Sequence, residues 1–191
     1  MKHRFILLYM CIFACSVSAC SRPQLSAPAC RTVSQTLPIM QVASGATLRA
    51  ACIITAQSKL LVIQRSSGQY DLPYSNNLSN NAKTSAQCSA HRKTWQQTRL
   101  NVEVGRLLDT SKIIELDPQG NKNTVQIHLY ACSQNAGLTG LEPPFTPPLE
   151  TSTDDAQVDK LLFIDPFEIE QDQWRHPERF TQMRRAFVAH N

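Results

Sequence analysis

Lys93, Gln96 and Gln97 are spaced to share one face of a helix, within a stretch from Ala82 to Thr98 that holds neither Pro nor Gly. Three carboxylates at those positions would converge on one divalent cation, which can bridge phosphate oxygens and activate water. The residues present offer something else. Gln supplies a neutral amide oxygen, and Lys is itself a cation, so a hard metal ion loses the anionic oxygens it requires. With Arg92 and Arg99 alongside, the same segment carries fixed positive charge suited to holding a phosphate group without a metal.

Periodicity shows which elements must position these residues. Ala86, Ala90, Thr94 and Gln97 recur at helical spacing, which predicts a helix whose small-residue face can lie close against a sheet. Upstream, Leu48 to Thr55 and Lys59 to Arg65 are apolar runs separated by Ala-Gln-Ser and read as an antiparallel hairpin. Gln69-Tyr70-Asp71-Leu72-Pro73 follows, then a polar loop from Tyr74 to Asn81. Asn101 to Leu116 and Thr124 to Ser133 form a second hairpin around Asp117-Pro118-Gln119-Gly120-Asn121. Gln134 to Val158, with four prolines and several acids, is a long surface or active-site loop, and Lys160 to Ile164 is a last strand. Asp165-Pro166 has the form of a helix start. From Pro177 to His190 a terminal helix sets Phe180, Met183, Phe187 and Val188 on one face, with Arg184 and Arg185 outside it.

A chain of 191 residues, 42% apolar and 18% charged, suits one compact domain. Its first nineteen residues have a basic start at Met1-Lys2-His3-Arg4, an apolar stretch from Phe5 to Cys15, and Val17-Ser18-Ala19 before Cys20, the architecture of a signal peptide. Val-Ser-Ala-Cys also resembles the bacterial lipobox, which implies a lipid on Cys20; Ser21 after it implies an outer-membrane lipoprotein facing the periplasm. Without Lys2 and Arg4 the chain carries 17 basic against 15 acidic residues, and so small an excess argues against nucleic acid as a partner. Export would place Cys30, Cys52, Cys88 and Cys132 in an oxidising compartment. Their pairing stays open, and Cys52 and Cys132 also suit buried thiols. No cysteine pair has zinc-site spacing. The division expected is a signal peptide over 1–19, a flexible tether over 20–46 and a domain over 47–191.

The order of strands and helices, with Leu60-Leu61-Val62-Ile63-Gln64-Arg65 and Tyr70-Asp71-Leu72-Pro73, resembles the Nudix hydrolase family over residues 47 to 188. The resemblance implies an α/β fold, an α/β/α sandwich around a mixed β-sheet. The family box runs G-x5-E-x7-R-E-U-x-E-E-x-G-U, where U is a bulky aliphatic residue. Its best register sets Arg92 on the Arg and Leu100 on the last U. Thr84, Lys93, Gln96 and Gln97 then replace the four Glu, Arg99 replaces the Gly, and Tyr74 and Ser75 replace the Gly-Gly after Pro73. The family's Arg braces the loop before the helix, a role the resemblance would give Arg92.

Two functions follow as expectations. The first is a catalytically inactive Nudix-like module needing no cofactor and no metal. It would be tethered to the membrane through Cys20 and would bind a phosphorylated ligand through Arg92, Lys93 and Arg99, or an envelope protein. The alternative is a hydrolase of nucleoside diphosphate-type phosphoanhydrides that uses Mg²⁺ held by relocated acids of the long loop, Glu142, Glu150, Asp154 and Asp155. Elsewhere, His91 and His128 read as surface or packed histidines and Trp95 as a packing residue. Arg175, His176, Arg179, Arg184 and Arg185 could gather phosphates but read first as solvated charge. There is no P-loop, dinucleotide fingerprint or serine elbow.

Overall fold

Alternation along the central strands decides where the two helices lie. The computed structural model describes residues 28–33, 46–75, 85–116, 119–134 and 158–191. Its strands are β1 (Arg31–Thr32), β2 (Thr47–Ile53), β3 (Thr55–Ala56), β4 (Lys59–Arg65), β5 (Tyr70–Asp71), β6 (Val102–Leu116), β7 (Lys122–Gln134) and β8 (Val158–Ile164), and its helices are α1 (Ala86–Thr98) and α2 (Phe180–His190). Ala51 and Ile53 of β2 and Val125, Ile127 and Leu129 of β7 point one way, into a core with Phe180, Met183, Ala186 and Phe187 of α2. Their neighbours Ala50, Cys52, Tyr130 and Cys132 point the other way, toward Ala90 of α1 and Leu100. A helix therefore covers each side of the strands, as an α/β/α sandwich requires.

One sheet runs β1-β6-β7-β2; the other runs β3-β4-β5, with β8 on the free side of β4. β6 and β7 are antiparallel, whereas β2 lies parallel to β7 and β1 parallel to β6, so the sheet is mixed. The hairpin expected of residues 48 to 65 is largely absent. β2 pairs with β7, Thr47 opposite Val125, and only β3 turns back onto β4. That turn holds Gln57 at φ 51° and Ser58 at φ 57°, the two left-handed residues that a two-residue hairpin loop demands. Neither is the Gly that would have marked it.

Other expectations shift at the chain's second half. Asp165 accepts a hydrogen bond from the Phe167 N–H at 2.8 Å and closes a turn instead of opening a helix. Short 3-10 turns at Gln171–Gln173 and Pro177–Arg179 come next, and α2 begins only at Phe180. Val188 is 62% exposed; Gln182 and Ala186 occupy the buried face with Phe180, Met183 and Phe187. Arg184, outside that face as expected, lies over Phe167 and Phe180 and donates to the carbonyls of Pro166 and Ile169.

The stretch expected as a tether is partly held. Arg31 and Thr32 pair with Glu103 and Val104 of β6, and Cys30 is disulfide-bonded to Cys88 of α1. Cys52 and Cys132, readable as thiols, form a second disulfide between β2 and β7. Residues 1–19, Cys20, Thr84, the loop over 76–81, Asp117-Pro118 and the acids Glu142, Glu150, Asp154 and Asp155 lie outside the described residues. Among the described residues, no helix is long and apolar enough to cross a membrane.

Candidate functional site

Helix α1 begins where Ser85 Oγ accepts the Cys88 N–H at 3.2 Å. It ends at Arg99, which adopts the left-handed conformation at φ 58° and donates its N–H to the Trp95 carbonyl at 2.9 Å. A non-Gly residue in that conformation costs about 1 kcal/mol. The Arg99 guanidinium lies 5.6 Å from the Trp95 ring centroid, a contact that offsets part of the strain.

The face α1 buries is unusually polar. Ser89, His91, Lys93, Thr94, Gln97 and Thr98 are all buried beside Ala90, while Arg92 is exposed and Gln96 half-buried. Thr98 Oγ1 donates to the Thr94 carbonyl at 2.6 Å and accepts the Leu100 N–H at 3.1 Å. His91 Nε2 meets Asn101 Oδ1 at 3.3 Å, as a packed histidine would. Both amide atoms of Gln97 and the Thr94 hydroxyl are buried without a hydrogen-bond partner. Each such group costs about 1–3 kcal/mol.

The residues read as phosphate-binding therefore have different settings: Arg92 exposed, Lys93 buried, and Arg99 half-buried over Trp95. Against a divalent metal the test is chemical. Sequence AQCSAHRKTWQQT contains no carboxylate, and the helix buries Lys93, a cation, on the same face as Gln97. The donor set of α1 does not fit Mg²⁺.

On the opposite side of the sheet is a constellation whose parts are scattered in sequence. Arg49 of β2 grips Glu115 at the end of β6 with two nitrogens, at 3.2 and 2.9 Å. Arg179, buried at the start of α2, shares that carboxylate and lies 4.7 Å from the Tyr74 ring centroid. Arg65 and Arg175 approach the same oxygen of Asp71, at 3.3 and 3.8 Å, while the other oxygen accepts the Leu72 N–H at 2.9 Å. His176 Nδ1 lies 3.3 Å from Glu178. Of the five residues read as solvated charge, Arg175, His176 and Arg179 belong to this cluster. Arg185 instead pairs with Asp109.

Tyr74 and Ser75, the residues in place of two glycines, help build it. Tyr74 supports Arg179, and Ser75 locks the loop to β2, its N–H donating to the Ala50 carbonyl at 2.7 Å and its Oγ accepting the Ala50 N–H at 2.8 Å. Burial and the nearby guanidiniums of Arg179, Arg175, Arg49 and Arg65 push the His176 imidazole down to about 3, so it is neutral near pH 7. Burial pushes the Asp71 carboxyl above its usual range, against the pull of Arg65, Arg179 and Arg175. Ligand atoms of Glu115, His176 and Glu178 fall within 4.8 Å of one another. A cation there would face guanidiniums that already hold Glu115.

On β7, His128 sits between Gln126 Nε2 at 3.0 Å and the Tyr130 hydroxyl at 3.3 Å. Its burial pushes the imidazole below its usual range, as befits a packed histidine.

No family model matches the sequence, and no curated protein matches it. Solved structures do. A Nudix hydrolase from Nitrosomonas europaea is 14% identical with a TM-score of 0.53, over 75% of this chain and 89% of its own. An ADP-ribose pyrophosphatase from Streptococcus suis is 15% identical with a TM-score of 0.50, over 75% and 90%. A MutT protein from Bacillus halodurans is 13% identical with a TM-score of 0.50, over 76% and 83%. Identities this low speak to backbone architecture alone, and that architecture, two helices on opposite sides of mixed strands with Leu72-Pro73 leading toward α1, is a Nudix-like fold.

Proposed function

We propose that this chain is a Nudix-fold binding module that does not hydrolyse phosphoanhydrides and is held at a membrane by a lipid on Cys20. The observation that carries the first part is α1 itself: a buried Lys93 and two Gln where metal ligands would stand, in a helix with no carboxylate. The two disulfides support an oxidising compartment, as export would provide.

Full-length protein incubated with Mg²⁺ or Mn²⁺ and ADP-ribose should release no product. A turnover near about 1 per second, ordinary for an enzyme, overturns the reading. In that event, replacing Glu142, Glu150, Asp154 and Asp155 with Ala tests whether the long loop supplies the acids. The anchor has its own test: Cys20→Ser should move the protein from the membrane to the soluble fraction of the cell envelope, and unchanged partitioning would remove the lipid from the account.

A further inference from the structure

Among the described residues, the cluster on the α2 side of the sheet sets four guanidiniums against three carboxylates. Four guanidiniums, from Arg49, Arg65, Arg175 and Arg179, share the carboxylates of Asp71, Glu115 and Glu178. Those acceptors are heavily used. Glu115 serves Arg49 and Arg179, Asp71 serves Arg65 and the Leu72 N–H, and Glu178 faces His176. Arg175 is left with one ion pair, at 3.8 Å, beyond hydrogen-bond range. Arg179 Nε is buried without a hydrogen-bond partner, its nearest carboxylate oxygen being 3.7 Å away.

The under-served end of this cluster is also its open end. Arg175 and His176 side chains are 31% and 29% exposed, whereas Arg179 behind them is 3% exposed. The planar forks of Arg175 and Arg179 suit a tetrahedral oxyanion, which brings several acceptors and negative charge. We propose that Arg175 and His176, backed by Arg179 and Arg49, form a metal-independent binding site for a phosphate group. The site lies across the sheet from α1 and stands whether or not α1 is inert.

His176 contributes as a neutral acceptor. The guanidiniums that hold it unprotonated create the positive field a phosphate would enter. Nδ1, 3.3 Å from the Glu178 carboxylate, takes the single N–H of the ring, so Nε2 is left to accept the P–OH of a hydrogen phosphate. A metal at Glu115, His176 and Glu178 is the competing occupant. It would have to break the Arg49 and Arg179 pairs with Glu115.

Calorimetric titration of the full chain with inorganic phosphate in the presence of EDTA tests the site. Saturable binding is expected, weakened at least tenfold by Arg175→Ala and by His176→Gln, and unchanged by Arg185→Ala, whose side chain pairs with Asp109 elsewhere. Circular dichroism confirms that each variant is folded. Absence of binding to the wild type at millimolar phosphate overturns the proposal, as does equal binding by Arg175→Ala. So does zinc binding that His176→Gln abolishes while phosphate fails to bind. Vesicles of phosphatidylcholine with and without phosphatidic acid identify the source of the group. Co-sedimentation sensitive to Arg175→Ala assigns a lipid headgroup, and insensitivity with phosphate binding intact assigns a soluble ligand. ADP-ribose hydrolysis by the wild type would refute the inert-helix reading and leave this site standing.

Discussion

At the scale of single residues, two side chains sit at odds with their surroundings and make measurable predictions. His176 is held neutral to about pH 3 in the folded state, whereas an unfolded chain protonates it near its ordinary value of 6.5. The unfolded state thus binds more protons between those limits, and stability falls as pH is lowered through them, by up to about 1.4 kcal/mol per pH unit. In thermal melts from pH 7 to 4, the wild type should lose more stability than His176→Gln; parallel curves would show that His176 is not held neutral. Gln97 presents the other mismatch. Its amide is buried with neither atom bonded, so Gln97→Leu removes a cost and adds apolar burial. Urea denaturation should show a gain of about 1–2 kcal/mol, and a loss of that size would mean the amide has a partner in solution.

At the scale of elements, α1 is a helix that hydrophobic burial alone holds weakly. Its buried face is mostly polar, with Ala90 the fully buried apolar residue, so little transfer free energy fastens it to the sheet. A covalent link does part of that work. Cys88 ties α1 to Cys30, beside β1 on the edge of β6, across a separation of 58 residues. Cys30→Ser with Cys88→Ser should cost about 2–4 kcal/mol in urea denaturation. Hydrogen exchange should open α1 before β7, and equal protection of the two would refute the role of the staple. The same helix shows how legibility divides. Its end at Thr98 and its small-residue face were visible because 3.6-residue spacing is local, whereas the expected start at Ala82 gave way to a cap at Ser85. The parallel pairing of β2 with β7 was not, because register across distant residues leaves no mark in either strand. Likewise, the Nudix box set Arg99 where the family Gly ends the helix without deciding whether the helix stops there, and the Gln57-Ser58 turn carried no glycine to announce it.

At the scale of the whole molecule, the sandwich was legible from the succession of elements, while the charged constellation was not. Arg49, Arg65, Asp71, Glu115 and Arg179 come from five parts of the chain and meet only because strands and the α2 entry converge. Taken singly, each looks like solvated charge. The fold brings similar backbones to Nudix hydrolases and a different distribution of charge: a metal-averse helix on one side and an arginine-rich cluster on the other. The phosphate titration and the ADP-ribose assay address these two sides separately.

The parallel pairing of β2 with β7 also sets an order of assembly. Thr47 meets Val125, 78 positions on, so this contact cannot zip outward from a turn as β6 and β7 can. Cys52 and Cys132 reach each other only once those strands are side by side, which makes their oxidation a late event. A chain oxidised too early would join other partners among Cys30, Cys52, Cys88 and Cys132, which can pair in three ways. Correct maturation of this protein is therefore a matter of timing between strand docking and thiol oxidation, and a disulfide isomerase would speed it.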